Sequence, residues 1–390
     1  MGLTRPNGLE TKDAHVSVTP DDETEAFREA LAITTQYKTR DNVKGALAIL
    51  NNYVVFAVCV WICEHVASRY SDSRLWWATY IPVVIIISSR MRAMEHLVHE
   101  ATHNNLFTNP RAHEYTEFLY AFPVFRLLKV FRTLHLEHHK YLGDPVRDAD
   151  VVRLQYLGFI GERLSTARFS WLMFGLPFSG WLHYEYIVTL FTEFWTSPAS
   201  YPSKVIFWVT VLTMVHLSDA WSGFTLYYVV PWFGVLTITR YWAEVGEHLG
   251  MDMTRNFGNS RTNDGFLQRW WIHPLNDGLH AAHHLNSQVP FHRLRRTHKE
   301  LMREVPAYRE KNKMSNGIAE TFWQIYKCPT VIKAAREGQP AWESGQYWKE
   351  LFSVPYGFGI PSVRAVMADT CVDIFLHCAS KSTNRTFSER

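Results

Sequence analysis

Cysteine is scarce in this sequence and follows no framework. Cys59, Cys63, Cys328, Cys371 and Cys378 show neither disulfide nor zinc-ribbon spacing. Cys59 and Cys63 fall inside an apolar run, where simple burial is expected. The lack of a CxxC pair argues against a fused rubredoxin, ferredoxin or zinc ribbon, and no HPGG haem-binding segment is present. Charge of one sign is also missing: 40 Lys and Arg stand against 37 Asp and Glu, a net +3. No basic tract is interleaved with aromatics, so nucleic acid is not an expected partner. The opening "MGLTRPNGLE" has no apolar core, so no cleaved leader is expected, and Pro6 stands where myristoylation wants Ser or Thr.

What the sequence has in abundance is apolar and aromatic residues, at 47% and 15% of 390 residues, with 15 Trp. The mean hydropathy of −0.16 averages an apolar middle with polar ends. A spanning helix needs about 20 mostly apolar residues. "ALAILNNYVVFAVCVWICEHVA" (46–67) meets that need, and "LWWATYIPVVIIISS" (75–89) meets it by running on into the next helix. "KVIFWVTVLTMVHLSDA" from Lys204 and "SGFTLYYVVPWFGVLTITR" from Ser222 form a second pair. The aromatic stretch from Phe169 is broken by Gly, Pro and Glu and reads as interfacial or re-entrant.

The expected fold is therefore an all-α integral membrane protein: four transmembrane helices in two hairpins, with a helical cap on one face. The segments 90–153 and 289–312 are rich in Lys and Arg, which assigns that face, and both termini, to the cytoplasm. Three regions follow: a polar segment 1–45, a catalytic membrane domain 46–302 and a helical extension 303–390.

Histidine carries the chemistry. "RTLHLEHHKYLGD" holds His135, His138 and His139, and "GLHAAHHLN" repeats the pattern with His280, His283 and His284. Random placement would give about 0.05 HxxHH patterns in such a chain. Positions i, i+3 and i+4 share a helix face, so each triplet converges on a point. Neutral imidazole is a ligand for iron, zinc or copper. His99 and His103 follow the second apolar run, and Glu244 and His248 follow the fourth, each pair one turn apart. Nine histidines in all are too many for one metal and suit two.

With these boxes in place, the chain resembles the membrane fatty acid desaturase and hydroxylase superfamily. The matching segments are "HEATH" at His99, "HLEHH" at His135, His248 in "GEHLG" and "HAAHH" at His280, across roughly 46–302. The resemblance implies a non-haem di-iron centre with two iron ions, and O₂ as co-substrate. It also implies attack on an unactivated C–H bond of a fatty acyl or related aliphatic chain, most simply desaturation. Hydroxylation is the alternative, and "VGEHLGMDMTR" is similar to a segment of membrane alkane monooxygenases. A small amino-acid-derived substrate is a further option. Glu244 stands where acyl-CoA desaturases carry an Asn near the metal, which makes its carboxylate a catalytic candidate. With no redox module in the chain, a separate ferredoxin, rubredoxin or cytochrome is the expected electron donor. A zinc hydrolase would need only three protein ligands, and a bis-histidine haem carrier would take its ligands from inside the spans.

The remaining candidates carry blander readings. His96 is a helix-surface or ligand-supporting group, His273 is structural or at an interface, and His113, His183, His216, His292 and His298 are structural. Glu100, Glu137 and Asp277 either orient the boxes or are solvated, and Asp144, Asp148 and Asp150 order a loop. The run of Arg293, Arg295, Arg296 and Lys299 faces either headgroups or an acidic partner.

Overall fold

The computed structural model describes residues 20–161, 163–196 and 201–334, without the side chains of 20–22 and 190–196. Pro6, Cys371, Cys378 and most of the 303–390 extension lie outside the described residues. The architecture is all-α; the one sheet among the described residues pairs Thr262–Asn263 with Met314–Ser315.

Helix α1 (Pro20–Thr35) precedes α2 (Asn42–Arg69), whose first turn is capped by the Asp41 carboxylate accepting from the Val43 and Lys44 amides. Helix α3 (Ser73–Thr102) is capped in the same way by Asp72 and runs back along α2. Only a narrow stripe of α2 is covered, including Ala48, Ile49, Asn52, Cys59 and Cys63. Leu47, Leu50, Val54, Val58 and Trp61 point outwards and are exposed, the reverse of a water-soluble helix.

The cap begins with α4 (Leu128–Tyr141), α5 (Ala149–Leu157) and α6 (Trp181–Thr196). Helix α7 (Tyr201–Leu217) then leads, through a tight turn at Asp219, into a second rod. That rod starts at Trp221, winds in π-type turns over Thr225–Leu236 and continues without interruption as α8 (Thr237–His248). Helices α9 (His280–Leu285), α10 (Phe291–Glu304) and α11 (Ile318–Lys327) complete the cap. Helix α7 also exposes apolar residues, among them Ile206, Val209, Met214 and Leu217.

Helices α2 and α3 pair along their length and α7 turns into the second rod at Asp219, yet among the described residues one helix, α2, is long and apolar enough to cross a membrane by length and composition. The reason is visible in α3 and the second rod. Each begins apolar and continues into a polar half that belongs to the cap, so the helix and the apolar run do not coincide. Helix α7 is apolar but has 17 residues.

The aromatic stretch from Phe169 has one buried face, while Phe174 and Phe178 are exposed. Phe169, Leu172, Met173 and Leu176 pack with Tyr241, Val245, Leu249 and Phe322. The described part of the C-terminal extension joins the cap, since Tyr308 is buried against Phe257 and Arg261 donates to Gln324.

Gly45 lets the start of α2 approach the Leu106 segment closely: a Cβ there would stand 2.2 Å from the Leu106 carbonyl oxygen. Gly45→Val is expected to destabilise the α2 packing by roughly 1–3 kcal/mol, read as a lowered thermal transition of the solubilised protein.

Candidate metal centre

Four elements of the cap supply the histidines. The polar half of α3 ends with His99 and His103, α4 carries the first triplet, α8 ends on His248, and α9 carries the second triplet. The nine side chains gather into two sets. His99, His103, His135, His139 and His283 form one; His138, His248, His280 and His284 form the other, with ligating atoms within 4.8 Å of one another in each. Neighbouring histidines in each box separate: His138 and His139 enter different sets, as do His283 and His284. The two sets adjoin where the rings of His139 and His284 stack, 4.2 Å apart.

The inward atoms are Nε2 throughout. In the first set His99 meets His283 at 2.9 Å, and His135 meets His103 at 3.0 Å. In the second His248 lies 3.2 Å from His138 and 3.1 Å from His280. The outer nitrogens fix the tautomer where they have acceptors. His138 donates from Nδ1 to Asp148 at 2.8 Å, and His248 from Nδ1 to the Asn259 carbonyl at 3.1 Å. An imidazole protonated at Nδ1 presents a lone pair at Nε2.

Electrostatics agree with that assignment. Burial pushes the pKa of His99 down to about 4 and that of His248 to about 3. It holds His103, His135, His139, His280, His283 and His284 well below their usual value. His138 is the exception. Burial works against its charge, but Asp148 and Asp150 outweigh burial and raise it to about 9. A cation at Nε2 supplies the same positive charge to that acid pair. Several neutral lone pairs facing one another about 3 Å apart are repulsive when alone and favourable around a metal ion, so the donor set fits two cations.

This arrangement agrees with a wider likeness: residues 75–312 match the family model of fatty acid desaturases. The chain belongs to the fatty acid desaturase family. A dihydrorhizobitoxine desaturase of Bradyrhizobium elkanii is 26% identical over 284 residues, which cover 69% of this chain and 78% of that protein.

In this desaturase-family chain, carboxylates surround the histidines. Asp277 accepts from His273 at 3.2 Å, faces His96 at 3.0 Å and lies 3.6 Å from His99 Nδ1. Glu247, which spacing alone did not single out, groups with Asp277 and His280, 3.7 Å from the latter's Nε2. Glu244 joins neither histidine set; its two oxygens accept from Arg153 at 2.5 and 2.6 Å. Glu137 is exposed, and Glu100 is buried, accepting from the Phe291 amide at 2.9 Å. His113 is structural: its Nε2 accepts from the Phe107 amide.

Arg261, fully buried, donates to the carbonyls of Gly246 and Leu249 and so pins the end of α8 beside His248. Beside the two sets lies a cavity of about 240 Å³ that reaches His99, His135, His138 and His280. Four arginines and six carboxylates are on its wall.

Asp148 orders its loop and also holds a histidine. It caps α5, accepts from the Gly143 amide at 2.9 Å and orients His138. Asp148→Ala is expected to weaken metal retention roughly 10–100-fold, measured as metal remaining against a graded chelator series.

Proposed function

We propose that this chain is an O₂-dependent, membrane-embedded di-iron desaturase that removes two hydrogens from an aliphatic segment of its substrate. The observation that supports it most is the convergence of nine imidazoles, from four helices, into adjoining sets of five and four. His99, His103, His135, His139 and His283 would hold one iron; His138, His248, His280 and His284 would hold the other. When bound, the irons supply the activation of O₂ that oxidation of an unactivated C–H bond requires.

The protein's own groups then have separate tasks. Asp148, the Asn259 carbonyl and Asp277 fix ring orientation, and Arg261 fixes the helix end that carries His248. Glu247 is the carboxylate best situated to supplement the second histidine set. Glu244 acts from the cavity wall, through the arginine it holds. The name of the curated relative supports desaturation over hydroxylation.

The outward apolar faces of α2 and α7 support insertion in a bilayer, and the two hairpins support a multi-pass arrangement with the boxes and both termini on the cytoplasmic side. Electrons come from a separate ferredoxin, rubredoxin or cytochrome, for which the exposed Arg296 and Lys299 of α10 offer a basic docking surface. A zinc hydrolase is disfavoured by the donor set, since a catalytic zinc takes three protein ligands and keeps a position open.

Purified protein with donor and O₂ should yield a product lighter by two hydrogens; one heavier by a single oxygen would establish hydroxylation instead. His138→Ala should abolish turnover, and retained turnover would remove the di-iron reading. Metal analysis should find two irons per chain, and Glu247→Ala should lower that content more than Glu244→Gln does.

A further inference from the structure

We infer that the cavity beside the histidine sets receives a small zwitterion, bearing a carboxylate and an ammonium near a short aliphatic segment, in preference to a long acyl chain. This rests on the oxidative role proposed for the same centre and specifies what the centre oxidises.

Size comes first. At about 240 Å³ the cavity lies below the usual range, since ligand clefts span roughly 300–1,000 Å³. A long acyl chain threaded here would offer no hydrogen bond to the donors that the ion pairs leave open.

The charges are also sorted. At one end three guanidiniums meet around Glu95, and Arg92 also lies 3.8 Å from Asp277 and 3.9 Å from Glu247. Glu95 accepts from Arg240, stands 3.2 Å from Arg92 and lies 3.7 Å from Arg126. Arg126 is the group left over. Its guanidinium makes no hydrogen bond among the described residues, and its Nε is buried. It packs instead near the rings of Phe131 and Tyr186, at 5.7 and 5.9 Å. Open guanidinium donors in a concave site match a carboxylate, which accepts two parallel hydrogen bonds in the plane of the fork.

At the other end carboxylates are in surplus. Two carboxylates share one guanidinium: Arg153 donates to Glu185 at 2.7 and 2.9 Å and to Glu244 at 2.5 and 2.6 Å. Asp150 lines the cavity beside them, 3.3 Å from His138. An ammonium suits that surplus of negative charge. Arg240 and Glu244 are one turn apart on α8, so the two ends lie roughly 5–6 Å from each other at Cβ, a separation one small molecule bridges. Leu134 and Leu182 also line the cavity, as do His99, His135, His138 and His280, and offer apolar surface for a short hydrocarbon segment.

The test uses full-length, detergent-solubilised, iron-supplied protein in equilibrium dialysis with radiolabelled L-norleucine. Hexanoate, hexylamine and palmitate serve as competitors. Saturable norleucine binding is expected, with hexanoate and hexylamine each competing roughly tenfold or more less well than unlabelled norleucine. Arg126→Gln should weaken norleucine and hexanoate roughly tenfold or more while hexylamine binding holds. Glu185→Gln should weaken hexylamine and leave hexanoate. Absence of saturable norleucine binding overturns the proposal. So does palmitate binding that is tighter and indifferent to Arg126→Gln. Iron measured on the same samples separates the two failures. Two irons per chain with palmitate preferred removes the substrate class alone, whereas fewer than two in the wild-type protein removes the di-iron reading beneath it.

Discussion

The centre of this protein is a set of lone pairs that would repel one another in isolation. Within each set, neighbouring Nε2 atoms stand 2.9–3.2 Å apart in a buried space. Burial keeps the rings other than His138 neutral, and the acceptors on Nδ1 of His138 and His248 turn their Nε2 atoms inward. Hydrogen bonding between the nitrogens relieves part of that repulsion only if some rings surrender the Nδ1 tautomer their acceptors select. Cations relieve all of it at once. The helices that carry the histidines are thus arranged around a requirement for positive charge, and the surrounding acids, Asp148, Asp150, Glu247 and Asp277, point to the same requirement.

The HxxHH spacing becomes intelligible as a device for two sites. In α4 the i and i+4 rings, His135 and His139, go to the first set while the i+3 ring, His138, goes to the second. In α9 the assignment is exchanged: His280 and His284 serve the second set and His283 the first. Each triplet therefore contributes two ligands to one site and one to the other, and the two helices are complementary. A single triplet would leave both sites short, which is why the pattern occurs twice.

The nine histidines were legible in the sequence because helix spacing is a local property, and a turn of helix brings i, i+3 and i+4 together wherever it lies. The supporting groups were less visible for the opposite reason. Asp148 meets His138 across a turn, Arg261 reaches back to the end of α8, and Asp277 reaches α3 from about 180 residues away in the chain. No periodicity encodes such contacts. Glu244 shows the limit of spacing arguments: one turn before His248 it lies along the same face, yet Arg153 takes its carboxylate at the cavity wall. The spans show another limit. Apolar runs mark where a helix meets an apolar surrounding, not where it starts or stops, and α3 continues well beyond its apolar half to deliver His99 and His103.

That continuation also ties the cavity to the metal sets mechanically. On α3, Glu95 lies one turn before His99; on α8, Arg240 lies two turns before His248. The Glu95–Arg240 pair therefore joins the two rods at a level just short of the histidines, with Arg92 reaching on from Glu95 towards Glu247 and Asp277. Because His99 belongs to one set and His248 to the other, the separation of these rods bears on the separation of the two sites. The ion pairs that line the cavity are the same ones that hold the rods, so a charged molecule bound among them engages the frame of the metal centre directly. An apolar occupant would leave that network untouched, and the burial of so many charges beside the histidines would then serve the frame alone.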